Sequence, residues 1–410
     1  MKYLVFYLLL LLPTVTDAQD RNLEYYIRQA GQNSPLLKDY QQQLQAGKID
    51  SALLRATYNP QVNGISSNSY APLIKGYGYD NAISNGGQIS AIVQANKTFV
   101  GKKNLASQLS TIQLQNAGIS TTAAIAEQDL KRTITTQYIL TYGDFVTLDF
   151  NNEILHLYQN EEKILKKLTE ANIYKQADYL LFYVSLQQQQ LICKQAEVQY
   201  KSDFATLNYL AGITDTSAYN IPDPALQIST LPDIFQSPFY QQYAIDSLKY
   251  LNQRMVLNYN YKPKLIAYAD AGYQSTLAID PYKNFGTSIG IGITVPIYDG
   301  HQRKLKTQKI AISEKVRQGY RDFFLLQYNQ QVMQLLQQLH ATQTLIPQIE
   351  NQVKYAYTLI AVNEKLLGTG DIRITDYILA INTYLNAKHL FTQNYINRQQ
   401  ITNQLNYWNR

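Results

Sequence analysis

Two aspartates, Asp178 and Asp376, lie 198 residues apart, and each opens the same short phrase: Asp178-Tyr179-Leu180-Leu181 and Asp376-Tyr377-Ile378-Leu379. Carboxylates at equivalent positions can do one of two things. Repeated around an axis they form acidic rings that narrow a bore and favour cations. Taken singly, in the first turn of a helix, they are ordinary solvated charges that complement the helix dipole. Other chemistry is poorly supplied. His156, His301, His340 and His389 are dispersed, without HExxH or paired-ligand spacing, so no metal site is expected. No nucleophile–base pair or phosphate loop stands out either, so neither an enzyme nor a cofactor is expected. Cys193 is the only cysteine, which excludes an internal disulfide and reads as a buried or helix-interface thiol. The net charge of +6 comes from Lys and Arg scattered among acids, which argues against a nucleic acid partner. The exceptions are Lys102 and Lys103, and Arg303, Lys304 and Lys306, which directly follow expected strands. There they would meet phospholipid headgroups or form a solvated helix start.

The aspartates are part of a longer repetition. Leu207-Asn208-Tyr209 recurs as Leu405-Asn406-Tyr407, and Tyr58-Asn59-Pro60 as Tyr261-Lys262-Pro263. A period near 200 residues is a duplicated half-protein rather than a solenoid. The divisions expected are a signal peptide over 1–18, a first repeat over 19–211, a linker over 212–237 and a second repeat over 238–410. The first of these rests on Lys2, the apolar run Leu4 to Leu12 and Thr16-Asp17-Ala18.

Each repeat reads as helix, two strands, very long helix, tip and returning helix. Helices over Leu23–Arg55 and Pro238–Leu257 end near Pro60 and Pro263. Strands are expected over about 62–79, 87–98, 264–275 and 286–297. The second pair alternates cleanly: Ile289, Ile291, Ile293 and Val295 interleave with Ser288, Gly290, Gly292 and Thr294. In the first pair Ile92 breaks the alternation, and the segment from Val62 to Tyr70 is mostly polar. Apolar residues on one face and small or polar ones on the other suit a membrane β-barrel wall around a wet lumen; a soluble sheet with one buried face gives the same pattern. Four strands cannot close a barrel, and open edges cannot face lipid. In a membrane the chain must therefore oligomerise: two copies give eight strands and an interior that side chains fill, three give twelve and room for a pore, and three is the expected number.

The second long helix carries Leu325, Val332, Leu339, Ile346, Val353, Ile360 and Leu367 at every seventh position, a coiled-coil seam. The first shows the period more loosely through Ile134, Tyr138, Phe145, Leu148, Leu155, Tyr158 and Leu165. Pro347 lies within the second seam and is expected to kink it. From Gly300 to Gly370, and from Gly101 to Asn172, each helix would reach roughly 100 Å.

At Gly290-Ile291-Gly292-Ile293-Thr294-Val295-Pro296-Ile297-Tyr298-Asp299-Gly300-His301-Gln302-Arg303 the chain resembles the TolC family of outer membrane efflux proteins. The resemblance rests there on the strand–helix junction Pro296, Asp299, Gly300 and Arg303, and again on Gly370 followed by Asp376-Tyr377-Ile378-Leu379-Ala380 and Asn386-Ala387. It implies a mainly α fold with β, a homotrimer with a twelve-stranded transmembrane β-barrel continuous with a twelve-helix periplasmic α-barrel. It also implies the outer membrane of a Gram-negative bacterium as location, projecting into the periplasm. The function implied is a passive exit duct of a tripartite efflux or type I secretion system. Its partners would be outer membrane lipid, a periplasmic adaptor and an inner-membrane transporter of the RND, ABC or MFS type. Under this resemblance Asp376 and Asp178 become a periplasmic constriction, and Asn172, Ile173, Gly368, Gly370, Asp371 and Arg373 the hairpin tips where an adaptor docks. Asn172 departs from the family's glycine, but asparagine tolerates the left-handed conformation. Asp371 reads as a helix N-cap. The chain ends soon after the returning helix, so the segment from Gly212 to Ser237 is expected to supply the equatorial belt. The alternative reading is a periplasmic coiled-coil scaffold or adaptor that never enters a membrane.

Overall fold

The computed structural model describes residues 21–78, 87–228, 233–276 and 280–408, so the signal peptide expected over 1–18 lies outside the described residues. Helix α1 spans Leu23–Asn33 and α2 Pro35–Thr57, followed by β1 (Gln61–Tyr70) and β2 (Gly87–Phe99). Helix α3 runs Lys102–Glu170 and α4 Gln176–Ala211. The second half repeats the order with α5 (Pro238–Asn260), β3 (Lys264–Ser275), β4 (Phe285–Thr294), α6 (Gln302–Thr369) and α7 (Ile374–Tyr407). Helices α3 and α6 hold 69 and 68 residues, and α6 continues through Pro347.

Three boundaries differ from the sequence reading, each near a proline. The first helix is two, because Ser34 precedes Pro35 and is pushed out of helical geometry, with ψ 114°. Strand β1 stops at Tyr70 rather than 79, since Pro72 has no amide to donate to a ladder. Strand β4 stops at Thr294 rather than 297, ahead of Pro296.

The strands form one antiparallel sheet in the order β1-β2-β3-β4. Each repeat supplies a hairpin, and β2 joins β3 across the duplication, with Ile89 opposite Ser275 and Phe99 opposite Leu265. The register carries one apolar face through β2, β3 and β4, with Val62, Gly64, Ser66, Asn68 and Tyr70 of β1 on the same side. Val93 pairs with Ala271, Ala95 with Ala269, Ala269 with Ile289 and Ala267 with Ile291. Near one end of that face Tyr273 meets Phe285 edge-on, ring centroids 5.3 Å apart, and Phe99 stands at the other end. The opposite face carries Gln88, Gln94, Asn96, Asp270, Gln274, Ser288 and glycines. Ile92, which breaks the alternation, lies on this polar side opposite Ile65 and Gly272. There the strands approach so closely that a side-chain carbon at Gly272 would sit 2.3 Å from the Ala91 carbonyl. Among the described residues nothing covers the apolar face: Ile289 is 86% exposed, Ile291 73% and Ile293 69%.

The described chain packs as two compact units, and each draws on both repeats. One holds Lys38–Ala123 and Pro238–Leu325, including the sheet. The other holds the chain up to Leu37, Ala124–Ser237 and the chain from Leu326. The second unit contains two cores. The first gathers Phe150, Tyr158, Leu165, Phe182, Ile360, Leu367, Tyr377 and Ile381 from α3, α4, α6 and α7. Its α6 residues Ile360 and Leu367 are seam residues; elsewhere along the seam Val332, Leu339 and Ile346 are buried too, as are Tyr328, Leu335, Ile349 and Ala356 three positions after their seam partners. Seven-residue spacing thus buries one stripe of the helix, as knobs-into-holes packing requires. The second core joins Tyr26, Tyr138, Tyr200, Phe204 and Leu207 to Ile221 of the 212–228 segment. That segment has no helix or strand, yet Tyr138 donates to the Pro222 carbonyl at 2.8 Å and Asp215 accepts from Arg21 at 3.2 Å. Cys193 is buried between α3 and α4, its thiol donating to the Asn151 carbonyl, and burial raises its pKa.

Candidate functional site

The two helical-hairpin tips are built by one backbone device, used twice. At the end of α3, Asn172 takes φ +59°, and at the end of α6, Gly370 takes φ +81°. In the first tip the Asn172 amide donates to Thr169 and the Ile173 amide to Leu168, at 3.0 and 2.9 Å. In the second, Gly370 donates to Leu367 and Asp371 to Leu366, at 3.2 and 2.9 Å. These are the paired bonds of a Schellman cap, which satisfy the last carbonyls of a helix. Asparagine therefore does at 172 what glycine does at 370. Gly368 lies in the final turn of α6 with open space beside it.

The tips also lean on each other. The Tyr174 hydroxyl faces the carbonyls of Leu367 and Ile372, at 3.2 and 2.9 Å, and donates to them. A side-chain carbon at Gly370 would stand 2.7 Å from Cγ2 of Ile173, so glycine there also makes room for the other hairpin. Tyr174 is not legible in the sequence, because a tyrosine in a turn carries no spacing signal.

Asp178 and Asp376 occupy the same place in α4 and α7, the third residue of each helix. Asp178 accepts from the Lys175 amide at 3.4 Å, the carboxylate half of a capping box, while its own amide donates to the Lys175 carbonyl at 3.0 Å. Asp376 accepts from the Arg373 guanidinium at 3.1 and 3.4 Å. Both carboxylates thus act at their own helix starts, where negative charge is favoured. Asp371 is not the N-cap expected of it. Its amide is spent on Leu366 and its carboxylate accepts from the Thr369 hydroxyl at 2.6 Å, so α7 begins two residues later with Arg373 as N-cap.

Beneath the tips, beside the core of α3, α4, α6 and α7, lies a buried carboxyl group that the sequence hides. Glu161 is 2% exposed, and burial, then the neighbouring Glu364, raises its pKa from 4.5 to about 7. Among the described residues the buried Tyr377 hydroxyl has no hydrogen-bond partner, and its pKa is raised by burial and by Glu161 and Glu364. Because the folded pKa of Glu161 lies above the unfolded one, its contribution is fully present below about pH 4.5. It is lost as pH rises through about 7. Glu161→Gln is expected to raise the melting temperature at pH 8 and flatten its dependence on pH between 4.5 and 7. Melting curves as steeply pH-dependent as those of the unaltered protein would contradict this.

The strand–helix junction after β4 belongs to the other compact unit. Gly300 and His301 take φ +62° and +67° in succession, turning the chain sharply before α6. Asp299 accepts from the Arg303 amide at 2.7 Å, and this bond and the Tyr261 hydroxyl lower its pKa, the hydroxyl most. Arg303 donates to Asn258 at 3.0 Å and lies over the Tyr261 ring. Pro296 precedes this turn by three residues and marks the end of the strand. His301 lies in the stretch that resembles the TolC family, but its left-handed backbone has no sequence signal of its own.

No family model and no curated protein matches this sequence. Solved structures do. CusC, which forms a transmembrane channel, shares 13% identity with a TM-score of 0.77, over 95% of this chain and 92% of that one. VceC, an outer membrane protein of Vibrio cholerae, shares 13% identity with a TM-score of 0.76, over 95% and 96%. CmeC, an outer membrane channel of Campylobacter jejuni, shares 12% identity with a TM-score of 0.74, over 95% and 86%. The chain has the fold of these proteins, mostly helical with one small antiparallel sheet, along nearly its whole length.

Proposed function

We propose that this chain is an outer membrane channel of the TolC family, the passive exit duct of a tripartite efflux or type I secretion system. The observation that carries this reading is the sheet: among the described residues the apolar face of β2, β3 and β4 lies uncovered, and the outer strands β1 and β4 each have a free edge. The strands hold 10, 13, 12 and 10 residues, and a tilted transmembrane strand needs about 9–11. Aromatic residues near both ends of that face match the girdles of membrane barrels. Free edges cannot remain in lipid, so three copies join their sheets into a closed barrel of twelve strands. The paired coiled-coil hairpins then line a periplasmic tube, with the tips presented to an adaptor and, beyond it, an inner-membrane transporter. No helix among the described residues is long and apolar enough to cross a membrane. A periplasmic scaffold would leave that apolar face bare. In planar bilayers the purified protein is expected to give discrete, ohmic current steps. A protein that floats with vesicles as a trimer but passes no current would overturn the channel reading.

The tip carboxylates enter as a constriction in this reading. Asp376→Ala removes one negative charge per chain and leaves Arg373 without its partner. Cation preference measured by reversal potential in a salt gradient is expected to fall, and single-channel conductance to rise. Unchanged selectivity and current would mean that Asp376 serves only its helix.

A further inference from the structure

The two strand–helix junctions are equivalent by duplication but not by charge. After β4, Asp299 supplies a carboxylate to the start of α6. After β2 the start of α3 has no acid in its first turn, and Gly101 offers no side chain to cap it. In their place stand Lys102 and Lys103, at the end of a helix where positive charge is disfavoured. These two lysines line a cavity of about 520 Å³ together with Lys262 and Lys264 from the turn into β3. No Asp or Glu lines it, and none of the four lysines forms an ion pair among the described residues. Lys262 is accounted for by the Tyr259 ring, 4.6 Å from its ammonium, and by the carboxyl end of α5. Lys102 and Lys103 have no such account.

We propose that this cavity binds a phosphate group, which supplies to α3 the negative charge that Asp299 supplies to α6. Four lysines and a helix amino end line the cavity, and phosphate accepts charge-assisted hydrogen bonds from both kinds of donor. An anionic phospholipid headgroup is the source favoured by position. Lys97 lies on the apolar face of β2 near the same end, its ammonium 5.8 Å from the Phe99 ring, as a side chain reaching for a membrane interface does. That choice of source rests on the sheet being a membrane wall; recognition of phosphate does not.

The full chain in detergent, titrated with phosphatidylglycerol or phosphatidylcholine and read by native mass spectrometry, tests both. Lys102→Gln with Lys103→Gln is expected to weaken phosphatidylglycerol binding about thirtyfold and leave phosphatidylcholine unchanged. Lys163→Gln with Lys166→Gln, an equal loss of exposed charge elsewhere, is expected to change neither. Melting in inorganic phosphate against chloride at matched ionic strength, without lipid, separates the sources. Stabilisation by inorganic phosphate that the 102/103 variant loses, without selective lipid binding, would keep the site and overturn the lipid. Equal phosphatidylglycerol binding and equal phosphate stabilisation in wild type and variant would overturn the site altogether. Flotation of the same protein with vesicles scores membrane insertion separately, so a failed channel reading is distinguishable from a failed phosphate site.

Discussion

Ile291→Arg is expected to stop this protein from entering a bilayer, whereas Gly292→Arg, one residue on, is expected to leave insertion intact. Ile291 lies in the middle of β4 on the uncovered apolar face, opposite Ala267. An arginine at that depth in a membrane barrel costs about 2–4 kcal/mol per chain, and a trimer carries three. Gly292 faces the other way, and a side-chain carbon built there meets nothing within 4 Å. Its arginine would stand in the wet lumen, where substitutions tune ion selectivity rather than stability. Heat-stable trimers recovered from outer membrane fractions read both outcomes. Equal recovery of the two variants would mean that the two faces of the sheet do not differ in what they meet.

Phe182→Ala is expected to destabilise the hairpin core by about 3–5 kcal/mol. Phe182 is fully buried in α4, its ring 5.2 Å from Tyr158 of α3 and 6.4 Å from Tyr377 of α7. Truncation leaves a cavity that three aromatic-bearing helices cannot close without giving up their own contacts. Hydrogen exchange should accelerate in the tips and in the adjoining turns of α3, α4, α6 and α7, while the sheet keeps its protection. Exchange unchanged at the tips would show that the core does not hold them. A uniform acceleration across the sheet as well would show that the two compact units do not unfold separately.

Much of this was legible in the residues, and the exceptions have physical causes. Seven-residue spacing found the buried stripe of α6 because a coiled-coil seam repeats its chemistry at fixed intervals. Strands β3 and β4 were legible for the same reason at period two. Strand β1 was not: Ser66 and Asn68 share the otherwise apolar side, and only pairing with β2 fixes its register. Ile92 misled the alternation because its neighbours on the polar face are Ile65 and Gly272, a contact between strands that no single strand announces. Glu161 begins the run Glu161-Glu162-Lys163, which reads as a solvated face, yet its place on α3 turns it into the core. Asp371 looked like an N-cap because it follows a glycine; the Schellman bond to Leu366 claimed its amide first. The repeat boundaries follow the gene-like order of the chain, while packing mixes the halves, since strands and long helices from both must share one sheet and one core.

The joining of free sheet edges between copies is most directly tested by disulfide trapping. A cysteine at Gly64 in β1 can be combined in turn with one at Thr287, Ile289 or Ile291 in β4; the native Cys193 is buried. Cysteines across neighbouring strands form a disulfide only when their Cα atoms approach within about 7 Å. Oxidation in isolated outer membranes is expected to give, for at least one pairing, covalent dimers and trimers with nothing larger. Monomers alone for every pairing, a ladder that stops at two, or one that climbs past three would contradict a closed barrel made by three copies.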